Sequence, residues 1–397
     1  MPGRTTEVSI SPAVLRWARE TAGYLEEAVA RRLGVPEDRV RDWEGEPGPA
    51  RLTVRQLEEV ARYYKRPTAA LLLEEPPAEP SLPRDFRRPS RREVSFSPEL
   101  RLTIRRARRL QRLAREMMEA LELPSASDVP HASLRDDPAA VARAQRESSG
   151  VSVKEQLGWR HPYEALRRWR DVLEDRQVMV FQGDFPRGEA QGFSVSQSHP
   201  YAVVATVKDP PTARCFTLLH EFAHLLLRDS GICVTEEALP VPEDDLARTE
   251  DWCQRFAEAF LVDADVLLDR AETGAVRRRE AGYEEALRRL ASAFKVSRYV
   301  VLFRLRHLEL LSEARFWTEY ERVREELEAA AARRRAKKKE GKGGRMAARQ
   351  AVQERGRLFT RLVLEGLDRE MLSYTEAIDY LGVRLKHLEK VRQLAYG

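Results

Sequence analysis

Two histidines four residues apart, with a glutamate directly after the first, have the clearest capacity for chemistry in this 397-residue chain. They are His220, Glu221 and His224 in "FTLLHEFAHLLLRDSG". On a helix that turns about 100° per residue, positions four apart lie about 40° from each other, so both imidazoles face one way with Glu221 on the same rim. Neutral imidazoles suit Zn²⁺, and a carboxylate beside them can take a proton from a metal-bound water whose pKa has fallen to about 7. With 7 His in the chain, HExxH arises by chance in on the order of one such chain per hundred. Phe216, Leu218, Leu219, Phe222, Ala223, Leu225, Leu226 and Leu227 make the segment apolar nearly all round, so it must be buried. Buried His and Glu need partners. A metal is one; a hydrogen-bonded pair of core histidines is the alternative.

A zinc hydrolase needs a third protein ligand and one open position. His131, His161, His199, His307 and His387 lie far away and have no local ligand spacing. The next helix, in "TEDWCQRFAEAFLVDADVL", offers more, with Thr249 as its expected N-cap. Trp252, Phe256, Ala259 and Phe260 form its apolar face, which leaves Glu250, Cys253, Gln254 and Ala257 along one edge. Glu250 fits a carboxylate ligand, with Asp251 as runner-up, and Gln254 one turn later fits a group that orients a ligand histidine. Cys253 reads as a small apolar filler, with metal ligation as its alternative.

Upstream of the histidines the hydrophobic period changes from 3.6 to 2. Tyr163–Asp175 reads as a helix; Val178–Phe181, Phe193–Ser196 and Tyr201–Val207 read as strands. A three-stranded antiparallel sheet is the simplest arrangement, and its exposed edge, placed at Tyr201–Val207, would hold a substrate strand by backbone hydrogen bonds. Downstream, "YEEALRRLASAFKVSRYVVLFRLRHLELL" reads as helix, turn at Lys295–Ser297, helix. Arg298, Arg304 and Arg306 there either touch phosphate or belong to a structural cap on the site, the reading preferred here.

The N-terminal part is helical and short-looped. Ser11 is a plausible N-cap with Pro12 at the first helical position, Gly34 closes a second helix, Glu37–Trp43 forms a third and Val54–Tyr64 a fourth. That spacing is of a helix-turn-helix, whose third helix would enter a major groove with Arg39 and Arg41 as candidate contacts. Glu37, Asp38, Asp42 and Glu44 surround them and repel a duplex.

Lys plus Arg number 69 and Asp plus Glu 64, a net of +5. The excess is local: residues 84–115 carry a net +9 and residues 333–349 a net +8, whereas residues 1–75 carry −1. Two basic clusters on an otherwise acidic chain are where a polyanion could bind, or else a solvated helix face and a linker. Mean hydropathy is −0.54, and no apolar run approaches the roughly 20 residues of a spanning helix, so no membrane partner is expected. Met1–Ser11 lacks the features of a secretion signal, and the 3 Cys form no CxxC. A reducing, cytoplasmic location is expected.

The segment "GFSVSQSHPYAVVATVKDPPTARCFTLLHEFAHLLL" followed by "TEDWCQRFAEAFLVD" resembles the ImmA/IrrE family of zinc metallopeptidases, over about Trp159–Leu311. The resemblance implies one Zn²⁺ per chain on His220, His224 and Glu250, gluzincin-like, with Glu221 as general base. Gln254 stands where the family has Asn, and Asp263 where a Pro follows the Leu. "LRWARETAGYLEEAVARRLGV", "RVRDWEGEPGPARLTVRQLEEVARYYKRP" and the trailing "LPRDFRR" resemble XRE-type helix-turn-helix domains, and fusion of the two is common in the family.

The expected fold is therefore α+β, mostly α. A helix-turn-helix domain spans 1–75, a Pro-rich linker and basic helical connector 76–158, and a zincin-like peptidase core with the small sheet and HExxH helix 159–311. A helix and basic flexible linker take 312–357, with a hinge ending near Gly344. A small helical unit at 358–397 is expected to dock on the body or on a second copy, so a homodimer is one arrangement open to the chain. By resemblance, the expected function is an intracellular zinc-dependent endopeptidase. Its protein substrate would be a helix-turn-helix repressor, cleaved to control transcription in stress response or mobile-element induction, with DNA as an optional second partner. The alternative is a non-catalytic, DNA-binding transcription regulator that uses the peptidase-like domain as a sensor.

Overall fold

The computed structural model describes residues 6–45, 48–79, 96–186, 189–228, 243–337 and 347–397. Helices dominate, with two small sheets, an α+β and mostly α fold. Among the described residues no helix is long and apolar enough to cross a membrane. The chain divides into two compact units: Met1–Leu82 with Ser90–Arg106 and Asp184–Glu189, and Pro83–Pro89 with Ala107–Gly183 and Ala190–Gly397. Much of the Pro-rich linker and the hinge near Gly344 lie outside the described residues.

In the first unit, helices α1 (Pro12–Ala22), α2 (Glu26–Leu33), α3 (Glu37–Glu44), α4 (Val54–Tyr64) and α5 (Thr68–Leu71) pack with an antiparallel pair, β1 (Glu7–Ile10) on β2 (Ala50–Thr53). The sequence reading did not anticipate this pair, whose four-residue strands lie some forty residues apart. Leu15, Val29, Trp43, Leu52, Leu57 and Val60 fill the core. Gly34 closes α2 in the left-handed conformation, φ 66°. Thr53 caps α4 in a reciprocal box with Gln56. Arg19 on α1 grips Glu44 on α3 with two forks, Nε to Oε1 at 2.8 Å and Nη2 to Oε2 at 2.7 Å, and both side chains are buried.

The long helix α6 (Pro98–Ala120) leads into the second unit, where α7 (Pro138–Ser148), α8 (Val153–Gly158) and α9 (Pro162–Asp175) precede the sheet. Strands β3 (Met179–Gly183), β4 (Gly192–Val195) and β5 (Ala202–Thr206) pair in the order β3-β5-β4. The expected all-antiparallel sheet is corrected: β5 runs antiparallel to β4 (Gly192↔Ala205) but parallel to β3 (Met179↔Ala202). All five residues of β5 are buried, the pattern of a strand covered on both faces, as in parallel sheets, whereas β4 alternates, as a strand with one less covered face does. Tyr201–Val207 is therefore the centre of the sheet and not its exposed edge.

Helix α10 (Pro211–Leu226) lies on this sheet and on α9, and α11 (Glu243–Leu261) packs against it. Thr249 is not the cap of α11. The helix starts at Glu243, and Thr249 lies inside it on a buried side shared with Trp252, Cys253 and Phe256. Next come α12 (Ala264–Leu268), α13 (Ala271–Arg278), α14 (Tyr283–Phe294), α15 (Arg298–His307) and α16 (Glu313–Lys337). Ser297 caps α15, after a turn in which Lys295 takes φ 59°. Arg304 is buried and donates to the Val262 carbonyl at 3.1 Å, while Arg298 pairs with Glu326 and Arg306 with Glu313. These ties are those of a structural cap.

The C-terminal helices are α17 (Ala347–Arg355), α18 (Arg357–Asp368), α19 (Tyr374–Leu381) and α20 (Leu388–Tyr396). Where a linker was expected before residue 358, α17 packs on β3. Glu174 of α9 fixes the joint: its carboxylate accepts the backbone N–H groups of Arg357 (3.0 Å) and Leu358 (3.1 Å) at the start of α18. Gly356, at φ 78°, admits this approach; a Cβ there would meet Glu174 Oε1, and the Val180 carbonyl at 2.7 Å.

Burial raises the Glu174 carboxyl to about 7. Its folded pKa lies above its unfolded one, so the folded state keeps a proton that the unfolded chain releases. The stability this group contributes is full below the unfolded value and falls as pH rises toward the folded one. Relative to Glu174→Gln, the wild type should lose about 2 kcal/mol between about pH 5 and about pH 8, read from urea midpoints. A difference that does not change with pH would show that burial leaves this carboxyl unshifted.

Candidate metal centre

Helix α10 is buried along almost its whole circumference from Arg214 onward, so the polar side chains it carries face protein. His220 is 3% exposed, Glu221 6% and His224 4%. One turn of helix stacks the two imidazoles on the side that meets α11. Phe222 of α10 packs on Phe256 of α11 with ring centres 6.2 Å apart, and Trp252 stacks on Phe256 at 5.7 Å. This aromatic contact sets the spacing at which Glu250 meets the histidines.

The three side chains meet pairwise at one distance, with Glu250 turning a different oxygen to each histidine. His220 Nε2 and His224 Nε2 are 3.2 Å apart, Glu250 Oε2 is 3.2 Å from His220 Nε2, and Glu250 Oε1 is 3.2 Å from His224 Nε2. Among the described residues they are the one group of three or more His, Cys, Asp or Glu side chains close enough to hold an ion. A tetrahedron with metal–ligand bonds of about 2.0 Å has edges of about 3.3 Å. Two imidazoles and a carboxylate at that separation fit a zinc-type divalent ion.

The electrostatics favour positive charge among the three side chains. Burial alone would push the Glu250 carboxyl up, but hydrogen bonds to His220 and His224, and their charge, hold it far below the usual carboxylate range. It is an anion at neutral pH. Burial opposes charge on His224, yet Cys253, Glu250 and Glu221 together raise it well above the ordinary imidazole value. Burial raises the Cys253 thiol.

The other sequence candidates separate clearly. Asp251 points away, its side chain 59% exposed and 3.8 Å from Arg255. Cys253 is fully buried, as a filler would be, but its Sγ also lies 3.5 Å from His224 Nδ1, behind the ligand ring. Gln254 is half-buried and forms no hydrogen bond with another described residue. One position beyond Cys253, it is turned about 100° round the helix. His199 serves elsewhere, accepting the Ser127 N–H at 3.0 Å, and His307 pairs with Glu258 at 2.7 Å. In the first unit, Arg41 is engaged by Glu26 (2.8 Å), Asp38 (2.9 Å) and Glu37, and Arg39 lies over the Trp43 ring at 5.7 Å.

Gly192 on β4 is a site residue that the sequence reading missed. A Cβ there would strike Thr217 Cγ2, come within 2.6 Å of the Val204 carbonyl and stand 3.4 Å from Glu221 Cγ. Only a residue without a side chain lets β4 lie this close to α10. A glycine inside a β-rich run was the available signal.

Residues 173–306 match the family described as Peptidase_M78, IrrE N-terminal-like domain. The match covers about a third of the chain, includes His220, Glu221, His224 and Glu250, and supports an ImmA/IrrE-like metallopeptidase family for this region. No curated protein and no solved structure matches the chain.

Elemental analysis of purified protein should find about one divalent ion per chain, and His224→Ala or Glu250→Ala should lower its affinity at least about tenfold. Wild-type protein that stays empty when Zn²⁺ is added would remove the metal.

Proposed function

We propose that this chain is an intracellular zinc-dependent endopeptidase that cleaves a helix-turn-helix repressor. The observation that carries the reading is the set of 3.2 Å contacts among His220, His224 and Glu250, with Glu221 on the same buried helix. A divalent ion held there supplies Lewis acidity to the scissile carbonyl and makes water easier to deprotonate. Zinc suits the two-imidazole, one-carboxylate set, and manganese or iron can occupy it. Glu221 accepts the proton of the attacking water and delivers it to the leaving amine. β4, an edge strand beside Glu221, takes the substrate role first given to Tyr201–Val207 and aligns an extended segment by backbone hydrogen bonds.

Charge supports a protein rather than DNA as the partner of the N-terminal unit. Arg41, a would-be phosphate contact, already has three carboxylates around it. The unit then acts as a docking module for the substrate or for a second copy of the chain. In a gel shift with duplex DNA across a salt series, binding should be weak and shallow in its salt dependence. A steep slope would favour the DNA-binding regulator instead.

Glu221→Gln should keep its metal and lose cleavage of a co-expressed repressor by about 10² to 10⁴. Cleavage at the wild-type rate would falsify the base assignment.

A further inference from the structure

Five arginines line one cavity of the second unit, and none of the three candidate metal ligands lines it. A cavity of about 500 Å³ opens between α9, β3, the start of α10 and the C-terminal helices α17, α18 and α20. Its α9 wall is a single helical face running from Tyr163 through Arg167 and Arg170 to Glu174. Arg214 of α10 enters from the sheet side, 6% exposed, its Nη1 donating to Gln182 Oε1 at 2.7 Å. Arg349 of α17 and Arg357 at the head of α18 complete the ring.

Five arginines thus line one space with two acidic residues, Asp171 and Glu174. Both carboxylates are engaged at the domain joint: Glu174 caps α18, and Asp171 lies 3.6 Å from Arg357. Arg170, with only 11% of its side chain exposed, has its nearest carboxylate oxygen at 3.9 Å, and its buried Nε has no hydrogen-bond partner among the described residues. Arg167 and Arg349 are exposed and form no ion pair with another described residue. A surplus of at least three positive charges, larger still when Glu174 keeps its proton, calls for a polyvalent anion more than for a monocarboxylate. Guanidinium forks match the oxygens of a phosphoryl group in pairs.

The rest of the lining is mixed, with the amides of Gln182, Gln350 and Gln353 beside apolar side chains. Leu166, Val207, Val352 and Leu394 contribute, and the exposed Tyr163 ring lies 5.9 Å from the Arg214 guanidinium. The volume falls within the range of small-molecule sites.

We infer that this cavity binds a small organic phosphate, its phosphoryl group among Arg167, Arg170, Arg214, Arg349 and Arg357 and its apolar part against Tyr163 and Leu394. Such a ligand bridges the C-terminal helices to the helix that carries the histidines. Arg214 precedes His220 by six residues, about 9 Å along the axis. Binding does not depend on the peptidase reading, and its test does not use cleavage.

Titration calorimetry of the full chain with phenyl phosphate, AMP, inorganic phosphate and benzoate tests the inference. Phenyl phosphate or AMP should bind one per chain and more tightly than inorganic phosphate or benzoate. Arg167→Ala combined with Arg349→Ala, both exposed positions, should weaken binding at least about tenfold with an unchanged melting temperature. Arg168→Ala, on another face of α9, should bind as the wild type does. The site is overturned if no probe binds saturably, if benzoate binds as well as phenyl phosphate, or if the double variant keeps wild-type affinity.

Discussion

Everything in the central region follows from one constraint: three polar side chains lie inside a contact between two apolar helices. Leu218, Leu219, Phe222 and Leu225 on α10, and Trp252, Phe256 and Phe260 on α11, bury His220 and His224 and leave Glu250 only partly exposed. Groups so placed must satisfy one another or hold something that satisfies all three. The aromatic contact of Phe222 with Phe256 sets the helix spacing, and the spacing sets the donor contacts. Core packing and site geometry are here the same set of contacts.

Two further polar contacts extend this logic to the periphery. Within the first unit, Arg19 and Glu44 lock α1 to α3 by a bidentate pair that neither partner could lose without leaving a buried charge. Within the second, Glu174 offers both oxygens to the first N–H groups of α18, in place of a cap from α18's own flank, where Gly356 has none to give. A short helical unit with little core of its own is thereby fastened to the sheet, with Phe359 against Phe181 at 5.9 Å.

The site was more legible in the sequence than the sheet that supports it. HExxH is a local pattern, so His220, Glu221 and His224 follow from spacing alone, and Glu250 follows from being on the polar edge of the next helix. Strand pairing is not local. "AVVAT" shows a strand but not its neighbours, and only its burial on every residue marks it as central. The β1–β2 pair escaped for the same reason, since four residues at each end of a helical run carry little periodicity. Thr249 misled because a good capping residue also serves as a small buried side chain within a helix. The place of Cys253 behind His224 could not be read from composition, since a buried thiol as filler and one against an imidazole look alike in a string of letters.

Gly192 has a mechanical meaning for the molecule. With only a hydrogen atom on Gly192, the Thr217 methyl of α10 and the Val204 carbonyl of β5 occupy the space a Cβ would need, and the Glu221 stem lies just beyond. Any larger residue at this position has to displace the β5 backbone or the Thr217 side chain. The seat of the Glu221 stem beside β4 is thereby tied to a position where the strand can carry no side chain.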